Sequence, residues 1–109
     1  MTTTVIHIRD ADLAAGDVYI GREMPRLRLA VSPWANPYRI TPTQPRERVI
    51  ARYRWLLRER PDLMARISEL RGKRLACWCV PRGETLTAAD PLVCHGQVLA
   101  ALADGEALP

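Results

Sequence analysis

The chain contains no phenylalanine, so three tryptophans and three tyrosines supply all of its aromatic side chains. It also has no apolar run approaching the roughly 20 residues of a transmembrane helix, which predicts that it has no membrane partner. The first residues show no basic segment followed by an apolar run, so we expect no secretory signal peptide. The three cysteines are an odd number, which argues against a secreted disulfide framework and favours the reducing cytoplasm.

Acidic residues are outnumbered: 12 Asp and Glu stand against 16 basic residues, for a net charge of +4. Lys73 is the one lysine, and the other basic residues are arginines, whose forked guanidinium groups suit phosphate and carboxylate. A GC-rich coding sequence would give the same preference without any function. The excess of positive charge therefore permits nucleic-acid binding but does not require it.

No repeat, linker or low-complexity segment divides the chain, and a hydrophobic content of 48% predicts one domain over residues 1–109. Five prolines in residues 23–45 exclude a regular helix there. The predicted elements, in chain order, are strands at 4–9, 17–22 and 27–31, a helix capped by Thr43, a helix from Pro61 to Gly72, a strand at 73–80, a loop at 81–89, and a helix that starts between Asp90 and His95 and ends at Gly105. This order predicts an α/β sandwich with a short, mostly parallel sheet and about three helices.

The cysteines and one histidine fall where two of these elements should meet. Cys77 and Cys79 share one face of the last predicted strand, and Cys94 and His95 lie near the start of the last helix. Open α/β sheets place their ligands at the carboxyl ends of strands, so we expect the sulfur of Cys79 within about 8 Å of Cys94 or His95. Cys77 lies deeper in the strand and is expected to be the most buried and the least involved in chemistry. His7, inside the first strand, is expected to be a packing residue.

Three interpretations of this cluster stay open. In the first, Cys77, Cys79, Cys94 and His95 bind zinc, although two cysteines spaced C-x-C on a flat strand hold their sulfurs ~6–7 Å apart. In the second, the catalytic residues are Cys79 or Cys94 as a nucleophile, with His95 as its base. In the third, Cys77 and Cys94 are small residues of the hydrophobic core.

A second group of residues suggests a ligand site. Gly21 lets the backbone approach a ligand closely, and Arg22 supplies a cation. In the proline-bounded loop 32–38, Trp34 offers a stacking surface and Asn36 an amide that can read the edge of a planar base. Alternatively, the aromatic residues of this loop close the core and Asn36 caps a turn.

Together these residues resemble the domain of unknown function 4326 (DUF4326) family of bacteria and their phages. The family pattern has VYIGR, WGNPF, a helix with a Tyr, LxGKxLxCWC and CHGxxL. The corresponding segments here are 18–22 (VYIGR), 34–38 (WANPY), Tyr53, 70–79 (LRGKRLACWC) and 94–99 (CHGQVL), so that the resemblance spans residues 17–103. Ala35 and Tyr38 depart from the family residues. The resemblance implies a fold and a clustered pocket, but no reaction.

The leading functional hypothesis is a small-ligand pocket domain that could act as an enzyme on a nucleotide- or nucleoside-like molecule. Its catalytic candidates are Cys79, Cys94 and His95, and its ligand-binding candidates are Gly21, Arg22, Trp34 and Asn36. One alternative is an interaction module that zinc stabilises without catalysis. The other is a weak nucleic-acid binder that uses the arginine-rich segment 46–60.

Overall fold

The computed structural model describes residues 2–105, so the predicted domain range of 1–109 extends beyond the described residues at both ends. The strands and helices are β1 (Thr4–His7), β2 (Val18–Tyr19), α1 (Arg46–Arg58), α2 (Pro61–Met64), β3 (Arg74–Cys77), β4 (Thr85–Leu86) and α3 (His95–Ala103). Short 3₁₀ turns lie at Ile8–Asp10, Leu13–Ala15, Pro25–Leu27 and Ile67–Leu70. The predicted α/β class with about three helices is confirmed.

The strands form one mixed sheet in the order β2-β3-β1-β4. β3 pairs in parallel with both β1 and β2, and in the first pairing His7 lies opposite Cys77. β4 runs antiparallel to β1 at one edge, so the sheet is mixed, and two of its three strand pairings are parallel. Because parallel strands end at the same edge, the residues that follow β1, β2 and β3 are brought together.

Both faces of the sheet are covered by apolar groups. Val5 and Leu75 belong to a buried cluster that includes Ile50 of α1 and Leu99 of α3. Side chains alternate along a strand, so Ile6 and Ala76, which follow Val5 and Leu75 in sequence, face the opposite side of the sheet. That second face is covered by a smaller cluster of Ile6, Ile8 and Ala76 with Tyr19, Leu29 and Trp78. The helices thus lie on one face, and the irregular segments cover the other.

Several predicted boundaries in the first half of the chain are wrong. No strand forms at 27–31, because a 3₁₀ turn occupies Pro25–Leu27 and Arg28 adopts a φ of 55°. The N-cap residue of α1 is Pro45 and not the expected Thr43, and no side chain forms a capping hydrogen bond there. The chain beyond α1 is less regular than expected, since the helix predicted from Pro61 to Gly72 divides into α2 and a 3₁₀ turn.

The boundaries near the cysteines also differ. The strand predicted over 73–80 ends at Cys77, and the predicted loop at 81–89 contributes the short edge strand β4. The first two strands are also shorter than predicted: the strand expected at 4–9 ends at His7, and the one expected at 17–22 ends at Tyr19. Within residues 2–105, no helix has both the length and the apolar character needed to cross a membrane.

Candidate metal centre and ligand cavity

Three cysteine thiols meet where β3 ends and α3 begins. Cys77 is the last residue of β3, the chain bends over residues 78–80, and Cys94 is the N-cap residue of α3. The sulfur atoms of Cys77, Cys79 and Cys94 all lie within 4.8 Å of one another. The sulfurs of Cys77 and Cys94 are 2.8 Å apart. The predicted proximity of Cys79 to the start of the last helix is confirmed.

One expectation for Cys77 is corrected. Cys77 and Cys94 are each 1% exposed, so Cys77 is not more buried than Cys94. Cys77 also belongs to the thiol cluster. Cys79, by contrast, is exposed. The wide sulfur separation expected for a flat strand does not arise, because extended pairing stops at Cys77 and the following bend brings Cys79 back.

Gly96 allows the first turn of α3 to lie directly against the sheet. A Cβ at this position would come within 2.7 Å of Cδ1 of Ile20 and 2.9 Å of Cγ1 of Val5. A side chain of any size would therefore push the start of α3 outward. The glycine of the CHG segment thus places Cys94 and His95 beside the end of β3.

Gln97 fixes the segment that leads into α3. Its side-chain oxygen accepts hydrogen bonds from the backbone N–H groups of Val93 and Cys94, at 2.8 and 3.1 Å. Its side-chain nitrogen donates to three backbone carbonyls, those of Thr87, Asp90 and Pro91. This is a capping box in which Cys94 is the cap and its sulfur accepts from the backbone N–H of Gly96 at 3.3 Å. Sequence reasoning missed Gln97, although a polar cap followed three residues later by Gln is a known signal.

The ring of His95 is held in one orientation by its neighbours. Nε2 lies 2.9 Å from the carbonyl oxygen of Ile20, which can only accept, so Nε2 carries the proton. Nδ1 faces the thiols and lies 3.9 Å from the sulfur of Cys94. Tyr53 packs edge-on against the ring, with centroids 4.8 Å apart. In the neutral ring Nδ1 carries no proton, and that form of His95 suits a base or a metal ligand.

The three thiols differ in acidity. Hydrogen bonds from Cys77 and Cys94, and one from His95 when its ring is protonated, lower the pKa of Cys79 well below its usual range. The hydrogen bond to Cys79, reinforced by burial, raises the pKa of Cys77 to about 12, and interactions with both other thiols raise the pKa of Cys94. Like charges this close cannot all form in the absence of a cation. Cys79, the exposed member of the cluster, is therefore the thiol that most readily loses its proton.

The donor set fits a zinc ion. A Zn–S bond of about 2.3 Å in tetrahedral geometry requires sulfur atoms roughly 3.8 Å apart. The 4.8 Å limit for the whole cluster admits that separation, and the sulfurs of Cys77 and Cys94, 2.8 Å apart, would move apart by about 1 Å to bind one ion. Thiolates are soft ligands that favour zinc over magnesium or calcium. Among the described residues, Cys77, Cys79 and Cys94 therefore form a cluster that could hold a metal ion.

A cavity of about 520 Å³ opens onto this cluster. Of the predicted site residues it is lined by Gly21, Arg22, Asn36, Cys77, Cys79 and His95. Its other lining residues are Met24, Tyr38, Arg39, Ile40, Arg46, Val49, Ile50, Trp78 and Val93. The cavity is thus mainly apolar with a few polar groups, the usual character of a small-molecule site.

Two residues of the predicted ligand-binding set form hydrogen bonds to the protein backbone. The guanidinium of Arg22 donates to the backbone carbonyls of Asn36 and Tyr38, at 3.3 and 2.9 Å. Asn36 donates to the carbonyl of Val49 and accepts from the N–H of Tyr38, as the turn-capping alternative predicted. At Gly21, a Cβ would lie 2.5 Å from the hydroxyl of Tyr19. These residues shape the cavity wall. Glycine is favoured at position 21 because a Cβ there would collide with the ring of Tyr19.

Trp34 is not part of this cavity, which corrects its predicted grouping with Arg22 and Asn36. Its side chain is 3% exposed and lies in the hydrophobic core, and its backbone carbonyl accepts a hydrogen bond from the hydroxyl of Tyr53. Trp78 and Tyr38 are the aromatic residues of the cavity lining. Trp78 also packs edge-on against His7, which lies outside the thiol cluster as expected.

The fold and the cluster define a small α/β domain with three cysteines that could hold a metal ion. The chain belongs to the family described as domain of unknown function (DUF4326), whose sequence profile matches residues 5–105. It is similar to the uncharacterized protein R718 of Acanthamoeba polyphaga mimivirus, with 37% identity over 87 residues. That match covers 76% of this chain and 63% of the relative, so the chain spans less than two thirds of the relative's length. No solved structure matches the chain.

Proposed function

We propose that this domain binds zinc through Cys77, Cys79 and Cys94 and uses the adjoining cavity to bind and transform a small nucleotide- or nucleoside-like molecule. The observation that carries the proposal is the convergence of three sulfur atoms within 4.8 Å of one another, where two of the three cysteines, Cys77 and Cys79, line a cavity of about 520 Å³. Three protein ligands and access from a cavity are the arrangement of catalytic rather than structural zinc sites.

A metal explains the cluster better than a thiol nucleophile does. A nucleophile needs one activated cysteine and a base, which Cys79 and His95 would supply. Cys77 and Cys94 would then serve only as hydrogen-bond donors to the Cys79 thiolate. A divalent cation would stabilise all three thiolates and account for every member of the cluster.

His95 would serve the reaction as a proton acceptor. Zinc held by three thiolates supplies a Lewis acid with one open coordination position when it is bound. The described lining of the cavity contains no carboxylate, so Nδ1 of the neutral His95 ring is the base that it would offer once metal holds the thiolates. The carbonyl of Ile20 would keep that nitrogen directed towards the reacting group.

The cavity wall favours a ligand with a flat ring. Trp78 and Tyr38 supply aromatic surface, and Ile50 and Met24 supply apolar contacts. The polar groups of Arg22 and Asn36 lie in the same wall and retain donor atoms beyond their bonds to the backbone. This combination suits a nucleoside-like ring with polar substituents. Thiols that must stay reduced to bind metal also suit the cytoplasm expected from the cysteine count.

A second candidate is a zinc-stabilised interaction module without catalysis. The hydrogen bond from Nε2 of His95 to the carbonyl of Ile20 favours it, because metal-bound histidines commonly donate their other nitrogen to a carbonyl. In that arrangement Nδ1 of His95 would complete the coordination and close the site. Weak nucleic-acid binding through the arginines of 46–60 stays a prediction, which the salt dependence of DNA and RNA retention tests.

Cobalt substitution separates these functions. We expect Co(II) to replace zinc with the visible absorption of a tetrahedral thiolate site, and azide to shift the bands by occupying an open position. Adenosine, guanosine, cytidine and uridine, tested singly, should include at least one that also shifts them. A spectrum insensitive to azide would establish the closed module, and failure to bind Co(II) through sulfur would overturn the metal centre. A site that responds to azide but to none of the nucleosides would overturn the nucleoside-like ligand.

A further inference from the structure

The geometry points to an anion subsite at Arg39 and Arg46 that binds the phosphate group of the ligand. The identity of that ligand as a nucleoside phosphate rests on the proposed function, whereas the subsite itself does not. Neither arginine belongs to the motifs that suggested a ligand site in the sequence. Both line the cavity that opens onto Cys79 and His95.

The two arginines bring positive charge to a cavity whose described lining contains no carboxylate. Neither Arg39 nor Arg46 forms an ion pair with another described residue. The ion pairs of the described residues involve Arg60, Arg66, Arg74 and Arg82. Both residues are exposed, and cations that line a cavity raise the local concentration of anions there.

Arg22 is less suited to this role than the sequence suggested. Its Nε and one terminal nitrogen donate to the carbonyls of Asn36 and Tyr38, which ties the loop to the cavity wall. None of the described hydrogen bonds uses the guanidinium groups of Arg39 or Arg46, so their forks are available for an anion. The anion therefore binds at Arg39 and Arg46, with Arg22 as the residue that positions the loop.

The backbone beneath both arginines is fixed. The side-chain amide of Gln44 donates to the carbonyl of Arg39 at 2.8 Å, and Arg52 donates to the other end of that amide at 2.6 Å. Arg52 also lies over the ring of Tyr38, 5.0 Å from its centroid. Arg46 is the first residue of α1, where the helix dipole adds potential of the same sign. The subsite is thus built on a supported loop and a helix.

Phosphate matches this pair better than a carboxylate does. A phosphate monoester carries close to two negative charges and three acceptor oxygens, enough for two guanidinium forks. A carboxylate has one charge and two oxygens, and a single guanidinium group can satisfy both oxygens. The distribution of charge in the cavity then orients the ligand, with its phosphate at the arginines and its ring towards Trp78 and the thiols.

The test compares an Arg39→Gln/Arg46→Gln variant with a control that loses the same charge outside the cavity, Arg26→Gln/Arg48→Gln. Calorimetry measures binding of inorganic phosphate, of the four ribonucleoside 5′-monophosphates and of the four nucleosides to zinc-loaded protein. We expect phosphate and at least one monophosphate to bind the wild type and the control alike, and to bind the first variant roughly 10- to 100-fold more weakly. The zinc content should be equal in all three proteins.

The outcomes separate the subsite from the proposed function. Phosphate binding that is equal in all three proteins, or absent from the wild type, would overturn the subsite and leave the zinc centre intact. Nucleosides that bind as tightly as their monophosphates would also overturn it, while supporting the nucleoside-like ligand. If inorganic phosphate binds through the two arginines but no monophosphate binds more tightly, the subsite stands and the nucleoside phosphate is wrong.

Discussion

A Cys79→Ala variant should lose its zinc and, with zinc in excess, melt roughly 15–30 °C below the wild type. A metal present at 1,000 times its Kd stabilises the folded state by about 4 kcal/mol, and each kcal/mol shifts the Tm of a domain this size by about 4–8 °C. Cys79 is exposed, so its removal costs little packing and the loss reports on the metal. Metal analysis and thermal denaturation measure the two effects.

Chelation supplies the control for this prediction. After zinc is removed, the wild type and Cys79→Ala should melt at similar temperatures, because the exposed Cys79 contributes little packing to the metal-free protein. Leu92→Ala, which shortens an exposed side chain close to Cys94, should keep its zinc and its melting temperature. A Cys79→Ala protein that retains one zinc per chain would contradict the three-thiolate site.

Replacement of Gln97 by leucine should lower the free energy of unfolding by about 3–5 kcal/mol, since each buried polar group left unsatisfied costs roughly 1–3 kcal/mol. Gln97 is 1% exposed, and its side chain holds two backbone N–H groups and three carbonyls at the entry to α3. Leucine fills a similar volume but can satisfy none of them. Denaturant unfolding with and without zinc measures the loss.

Gln44→Leu is the matched control for that substitution. Gln44 also bonds to a backbone carbonyl and to Arg52, but it does so at the surface, where water can replace both bonds. Its replacement should therefore change the free energy of unfolding by less than about 1 kcal/mol. Equal losses in the two variants would show that Gln97 does not hold the segment before α3.

The general fold could be predicted from the sequence, but its irregular segments could not. The apolar spacing of α1 and the β-branched run of β1 are local signals, and both elements form where expected. The segment at 27–31 has strand-like composition, yet Pro25 favours a turn and Arg28 adopts a left-handed conformation. Such local geometry depends on neighbouring segments that composition does not reveal.

The candidate site was predictable in its cysteines and less so in its cavity. The predicted order of strand and helix placed Cys79 close to Cys94, as the structure shows. The bend after Cys77, which completes the cluster, has no clear signal in the sequence. Arg39 and Arg46 reach the cavity only through the path of the loop before α1. Trp34 resembled a stacking residue because a buried aromatic and a ligand-facing one have the same appearance in a sequence.

The central claim is that three thiolates bind zinc and leave one coordination position facing the cavity. X-ray absorption at the zinc edge, measured on untagged protein purified without chelator, tests it most directly. We predict three sulfur neighbours at about 2.3 Å and one nitrogen or oxygen neighbour at about 2.0–2.1 Å. Addition of azide should change the light-atom shell and leave the sulfur shell unchanged. Zinc with fewer than three sulfur neighbours, or protein that binds no zinc at all, would contradict the account.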